Sequence, residues 1–272
     1  MAKKNLIISA FTGYSFNQIK PYVHSIRDLN LDCDLVMVVG NTDSNTRVQL
    51  EQLGWRLEDL PNTREIPIHV LRFLPMYNYL FEHGDYDFVV STDVKDVIFQ
   101  RDPFAWLEEY LVDYELVAGS EALRYRDEPW GDDNLRSTYG GYVHERFKNN
   151  KIYNVGTLGG HGEYMRDLFF NLFYNSIGRP IPIVDQAVFN VMIQTQPYRD
   201  HVLFADQRLG WACQAGTVAD PAKMNYFRLN LLEPEPQWAD GRVLTSTGDE
   251  FVIVHQYDRV PEWRNFYAGK YK

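Results

Sequence analysis

Three short runs constrain this chain most. Residues 5–10 (NLIISA), 35–39 (LVMVV) and 87–91 (DFVVS) are apolar at consecutive rather than alternating positions. A strand with one wet face alternates; a run that is apolar throughout is covered on both faces, as in a parallel sheet between helix layers. The sequence between the runs agrees. Ile19, Tyr22, Val23, Ile26 and Leu29 recur at steps of three and four, the helical period. Pro21 is placed in the first turn of that helix, where a missing N–H is tolerated. Val48, Leu50 and Leu53 mark a shorter helix, and residues 55–60 a third strand. Strand, helix, strand, helix, strand predicts an α/β fold with a mostly parallel central sheet flanked by helices.

Residues 68–81 read as a helix kinked at Pro75, and residues 116–119 and 152–158 as further strands, the latter closed by a turn at Gly159-Gly160. Residues 163–177 and 184–193 read as helices. The first carries an aromatic stripe (Tyr164, Phe169, Phe170, Phe173, Tyr174) assigned to the core. Residues 251–254 form a late strand that ends on His255. Residues 121–150, charged and rich in Tyr and Arg, read as a long surface excursion, and residues 260–272 as an aromatic, basic tail. No repeat or linker divides the chain, so a single domain over residues 1–272 is expected. Ligands of such sheets collect beyond the carboxyl ends of the strands. The loops after Ala10, Ser91 and Val254 are therefore where chemistry belongs.

Charge narrows the partners. Lys and Arg number 27 against 37 Asp and Glu, a formal net charge of −10. That field repels nucleic acid and anionic membranes over long range, so no nucleic-acid partner is expected. The two cysteines, Cys33 and Cys213, stand far apart with no CxxC neighbour, which argues against a disulfide scaffold or a structural zinc. A reducing, cytoplasmic setting follows as the expectation. The basic start at residues 1–4 is followed by too short an apolar run for a signal peptide or a membrane span. Oligomeric state is not legible.

Asp93 and Asp96 follow the strand at residues 87–91. Strand side chains alternate faces, so acids three apart converge only if the chain turns at Val94-Lys95. Two close carboxylates repel unless a cation lies between them. A hard divalent ion that also binds a diphosphate resolves the repulsion and offsets charge on a departing nucleotide. Taken alone, Asp93 would serve equally as a turn cap, and Asp96 as an ion-pair partner of Lys95 or Arg101.

The stretch from Phe88 to Phe104, with Asp93, Asp96 and Asp102-Pro103, resembles the metal-binding segment of nucleotide-sugar-dependent glycosyltransferases with the A-type (GT-A) fold. The spacing departs from the strict D-x-D of that family by one residue. The resemblance extends in order through Asn154-Val155-Gly156, Asp185-Gln186 and His255, over roughly residues 5–259. It implies a single Rossmann-like GT-A domain, with a nucleotide-binding half at about residues 1–105 and an acceptor and donor-sugar half at about 106–272. It implies metal ligation by Asp93, Asp96 and His255. Counting back from Pro103 favours Asp96 as the direct ligand, with Asp93 on the ribose or the metal. Mixed carboxylate and imidazole ligands favour Mn²⁺ over Mg²⁺. It further implies donor contacts from Ala10, Phe11 (a ring to stack on the base), Thr12, Arg72, Asp93, Asn154 and Gly156. Asp185 and Gln186 become the candidate catalytic residues near the donor sugar, with a lean towards retention. Arg72 or a basic tail residue would stabilise the leaving group, and the excursion and tail would supply acceptor and lid elements.

The expected activity is metal-dependent transfer of a sugar from a nucleotide-diphosphate donor, UDP-linked by preference, to a hydroxyl acceptor such as a glycan. Two alternatives stand beside it. A sugar-nucleotide nucleotidyltransferase would show a Gly-rich, basic loop after the first strand, whereas residues 10–14 (AFTGY) hold one Gly and no Lys or Arg. A non-catalytic nucleotide- or carbohydrate-binding protein would use the same acids structurally. No G-x-G-x-x-G, P-loop or G-x-S-x-G motif is present.

Overall fold

The computed structural model describes residues 4–63 and 65–272, so the first three residues of the basic start at residues 1–4 lie outside the described residues. Strands β1 (Lys4–Phe11), β2 (Cys33–Val39) and β3 (Arg56–Asp59) alternate with helices α1 (Phe16–Leu29) and α2 (Ser44–Gln52). A broken helix, α3 (Ile68–Leu71) and α4 (Phe73–His83), leads into β4 (Tyr86–Thr92). Then come β5 (Val97–Phe99), α5 (Pro103–Tyr110), β6 (Leu116–Arg124), α6 (Pro129–Phe147), β7 (Lys151–His161), α7 (Gly162–Ser176) and α8 (Asp185–Ile193). The remainder holds β8 (Val202–Ala205), β9 (Ala212–Gln214), α9 (Ala215–Val218), α10 (Met224–Phe227), β10 (Gln237–Ala239), β11 (Arg242–Leu244), β12 (Ile253–His255) and α11 (Pro261–Lys270).

Among the described residues, the main sheet has seven strands in the order β3-β2-β1-β4-β7-β6-β8. Every neighbouring pair is parallel except the two made by β7. The α/β class and mostly parallel sheet read from the sequence are thus what the chain adopts. The consecutive apolar runs divide by period two. Leu6, Ile8, Val36, Val38 and Val89 join the cluster under α3, α4, α7 and α8. Ile7, Phe11, Met37, Val39, Phe88 and Val90 join the cluster under α1, α2 and α5. Both faces are dry, which is why the runs do not alternate in polarity. A second, smaller sheet, β5-β12-β9, sets His255 at the end of β12 beside Val97 and Gln214.

Several local readings need correction. Pro75 does interrupt its helix, one turn upstream: a proline has no N–H for the carbonyl four residues earlier, at Leu71, and the break falls at Arg72. Pro21 lies inside α1, which starts at Phe16, and not in its first turn. Gly159 and Gly160 continue β7. A Cβ on Gly159 would lie 2.8 Å from the Trp211 ring and one on Gly160 would collide with the Glu115 carbonyl, so these glycines serve close packing and not a turn. The aromatic stripe is core only in part: Phe169 and Phe173 are buried, while Phe170 and Tyr174 face solvent.

The supposed surface excursion at residues 121–150 is the end of β6 followed by α6, a helix bent at Gly140, where φ is 77°. Its polar residues Glu121, Glu128, Asn134 and His144 are buried and hydrogen-bonded. The aromatic tail is likewise not loose. It forms α11, and Trp263, Tyr267 and Tyr271 pack with Val243, Phe251 and Val254 in a third cluster. Among the described residues no helix is long and apolar enough to cross a membrane.

Candidate functional site

The chain leaves β4 at Thr92 and turns at Val94-Lys95 before β5, the turn that the spacing of the two acids requires. Val94 is buried and anchors the turn, while the Asp93 N–H donates to the Gly156 carbonyl at 3.0 Å. The carboxylates therefore face the end of β12. His255 Nε2 lies 3.5 Å from Asp93 Oδ2 and 3.7 Å from Asp96 Oδ1. One ligand atom from each of Asp93, Asp96 and His255 falls within 4.8 Å of the others, a set able to hold a metal ion.

The donor set fits a divalent ion. His255 Nδ1 donates to Gln214 Oε1 at 2.8 Å, and Gln214 is itself oriented by its amide N–H donating to Thr157 Oγ1 at 2.9 Å. With the proton on Nδ1, the Nε2 lone pair faces two carboxylates, an arrangement that only a cation or an extra proton makes favourable. Fixing the far ring nitrogen is what supporting residues do for metal-bound imidazoles. Titration shifts tell the same story. Burial alone would lower the His255 pKa, but the charges of Asp96, Asp93 and Glu121 outweigh it and raise it above 6.5. Burial, with the Asp93 and Asp258 charges, lifts Asp96 above the usual carboxylate value. Burial would lift Asp93 too, yet Arg72 and His255 hold it well below.

Arg72, at the helix break, is buried between two acids. Nη1 donates to Asp93 Oδ1, and Nη2 to Asp185 Oδ2 at 2.9 Å. This differs from the expected role. A guanidinium already paired with two carboxylates has little charge left for a leaving group. Exposed Lys95 and Arg259 line the same cleft, with Lys95 Nζ 5.9 Å above the Tyr14 ring.

Two cavities meet at Asp93. One, of about 280 Å³, is lined by Ala10, Phe11, Thr12, Tyr14, Lys95 and Asp96. The other, of about 390 Å³, is lined by Glu121, Asn154, Gly156, Asp185, Gln186 and His255 among others. His69, Arg72, Asp93 and Arg259 border both. The structure thus brings every residue picked from the sequence to one locus, with two adjustments. The Phe11 ring, expected to stack on a base, is 2% exposed and packs at 6.3 Å against Tyr14, whose ring is the one partly open to the cleft. The Thr12 hydroxyl accepts from the Asn41 N–H and so also ties the β1 loop to the β2 loop.

Asn154 and Gln186 converge on a residue the sequence reading passed over. Both amides donate to Glu121 Oε1, at 2.7 and 3.0 Å. Burial lifts the Glu121 pKa; the Glu128 charge adds to this, while the two hydrogen bonds oppose it. Glu121 was hidden in the presumed excursion, though its place two residues after the apolar run at residues 116–119 was a signal. Gln214 carried none, because its neighbours define no pattern. Asp102, by contrast, caps α5 through the Phe104 and Ala105 N–H groups, with Pro103 in the first turn.

No protein-family profile matches the sequence, and no curated protein does. Solved structures do. The galactosyltransferase LgtC, in complex with donor and acceptor sugar analogs, superposes with a TM-score of 0.54 at 14% identity, over 98% of this chain and 96% of that one. The bifunctional glycosyltransferase WbbM gives 0.56 at 13% identity, over 98% of this chain and 52% of that one. The glycosyltransferase GlyE of Streptococcus pneumoniae TIGR4 gives 0.52 at 16% identity, over 98% and 60%. This chain therefore spans about half of WbbM and nearly all of LgtC. At such identities the likeness is one of fold, and the fold of this chain is that of the A-type glycosyltransferases.

Proposed function

We propose that the protein transfers a sugar from a nucleoside-diphosphate donor, UDP-linked by preference, to a hydroxyl acceptor. The observation that carries this reading is the convergence of Asp93, Asp96 and His255 at the boundary between two cavities. One cavity is bordered by the ends of β1 and β4, where nucleotides bind in open α/β sheets. The other is polar and deep enough for a sugar ring. The diphosphate would lie at Asp93, with the nucleoside towards Ala10, Thr12 and Tyr14 and the sugar towards Asn154, Gly156, Asp185 and Gln186. Residues 1–105 then supply most of the nucleotide side and residues 106–272 the sugar side, with His255 and Arg259 returning to the boundary.

Asp93, Asp96 and His255 would hold Mn²⁺ or Mg²⁺, which supplies Lewis-acid stabilisation of the diphosphate leaving group. Lys95 and Arg259 add positive charge where negative charge develops. Asp185, held by Arg72, and Gln186, held by Glu121, are fixed in orientation. That suits positioning the donor sugar better than abstracting a proton, and it is the reason retention is preferred. In the transfer, the bond from the anomeric carbon to the phosphate oxygen breaks, the bond to the acceptor oxygen forms, and the acceptor hydroxyl proton passes to the departing diphosphate. The two free cysteines, Cys33 and Cys213, suit a reducing, cytoplasmic setting.

Thermal unfolding with UDP, GDP and CDP, with and without Mn²⁺, tests the reading in wild type and Asp96→Ala. Metal-dependent stabilisation by one diphosphate, lost in the variant, is the expected outcome. Absence of stabilisation by every nucleotide and metal combination refutes it. Slow release of free sugar from a matching nucleotide sugar then separates a transferase from a binder, and the anomeric configuration of a transferred product reads the stereochemistry.

A further inference from the structure

Trp130 and Ile183 border the cavity that would hold the donor sugar and also a smaller cleft of about 200 Å³ between α6 and residues 181–183. On the α6 side this cleft is lined by Trp130, Asp133, Asn134 and Ser137. Their spacing, i, i+3, i+4 and i+7, places them on one face of the helix. That face is polar apart from one large ring, and the ring is 51% exposed. The opposite wall is Ile181, Pro182 and Ile183. It is fixed in place by Asn134, whose side-chain amide donates to the Ile183 carbonyl at 2.6 Å.

We propose that this cleft is the acceptor subsite and that its occupant is a neutral saccharide, one ring of which stacks on Trp130. The proposal rests on the donor reading above and adds the location and class of the acceptor. Four observations support it. The cleft adjoins the cavity that would hold the donor sugar, with Trp130 and Ile183 lining both. An exposed indole offers a flat apolar surface for the C–H face of a pyranose. Asp133 and Ser137 are exposed on the same helix face and can meet the hydroxyls at the ring edge. Among the described residues, no Lys, Arg or His lines the cleft, while Asp133 does, so a phosphate, sulfate or carboxylate group is disfavoured.

The experiment measures binding directly. Labelled protein, with UDP and Mn²⁺ present, is applied to an array of neutral hexose and N-acetylhexosamine oligosaccharides. The same is done for Trp130→Ala, Trp130→Tyr and Tyr174→Ser, the last altering an exposed aromatic on α7. Wild type should bind at least one glycan class. Trp130→Ala should lose tenfold or more, Trp130→Tyr should recover most of that loss, and Tyr174→Ser should match wild type. The thermal shift given by UDP with Mn²⁺ shows whether each variant is folded around an intact donor site. The proposal is overturned if wild type binds no neutral glycan, if Trp130→Ala binds as wild type does, or if Tyr174→Ser loses as much. Should UDP and Mn²⁺ fail to stabilise wild type, the donor reading falls, while Trp130-dependent glycan binding is still scored on its own.

Discussion

Gly156→Ala is the smallest change that tests the site. A Cβ at this position would stand 2.6 Å from Asp93 Oδ2, 2.9 Å from Asp93 Cγ and 2.9 Å from Asn154 Oδ1. Ordinary contacts between such atoms are about 3.5 Å, so the Asp93 carboxylate must retreat by roughly 0.9 Å. It cannot do so freely, because Arg72 grips one oxygen and the backbone of residue 93 is tied to the Gly156 carbonyl. Metal ligands tolerate displacements of only about 0.2 Å, and a misplacement of about 1 Å in a positioned group can cost about a hundredfold in rate. We therefore expect Mn²⁺ affinity to fall about 10- to 100-fold and donor turnover by about a hundredfold. The overpacking should cost about 1–3 kcal/mol of stability. Gly141→Ala is the matched control, since a Cβ there meets nothing within 4 Å. Calorimetric Mn²⁺ titration and sugar release from the donor are the assays. Wild-type Mn²⁺ affinity in Gly156→Ala would refute the placement of Asp93 in the metal set.

Three further predictions follow from the same geometry. Arg72→Met leaves Asp185, only 3% exposed, without its cation and should cost about 3–5 kcal/mol in urea unfolding; near-wild-type stability would mean the buried pair is not what holds this corner. Because the His255 pKa lies above 6.5, a proton and a metal compete for Nε2. Mn²⁺ affinity should therefore drop about tenfold per pH unit below that pKa and level off above it, and a flat profile between pH 5.5 and 8.5 would remove His255 from the ligands. Glu121 titrates above its unfolded value of 4.5, so the fold favours its neutral form. The stability this contributes is complete below about pH 4.5 and is lost as pH rises through the folded pKa. Glu121→Gln keeps an acceptor oxygen for Asn154 and Gln186 without the charge. It should match wild type in chemical denaturation at pH 4 and exceed it at pH 7, and an equal gap at both values would contradict the argument.

What was legible in the sequence is what local physics determines. The runs at residues 5–10, 35–39 and 87–91 could only be strands covered on both faces, and the spacing of Asp93 and Asp96 demanded a turn at Val94-Lys95. The less legible parts share a cause. Residues 121–150 look solvated because they are charged, yet Glu121 and His144 are buried with partners supplied by distant segments or by the far side of the Gly140 bend, and Glu128 is buried as the cap of α6. Gly159 and Gly160 look like a turn because the ring of Trp211 and the carbonyl of Glu115, which need the space, come from elsewhere in the chain.

The sequence by itself determined the α/β class, the helical cover of the first strands and the place of the acid pair after a buried strand, through patterns that repeat within ten or fifteen residues. It could not determine that Arg72 would be consumed by Asp93 and Asp185, or that Gln214 would set the tautomer of His255. Nor could it show that Trp130 would stand open beside the cavity lined by Asp185 and Gln186. Those are contacts between residues 21 to 113 positions apart, or features of a surface enclosed by several elements. Burial there decides charge state and orientation, and burial is a property only the packed chain possesses.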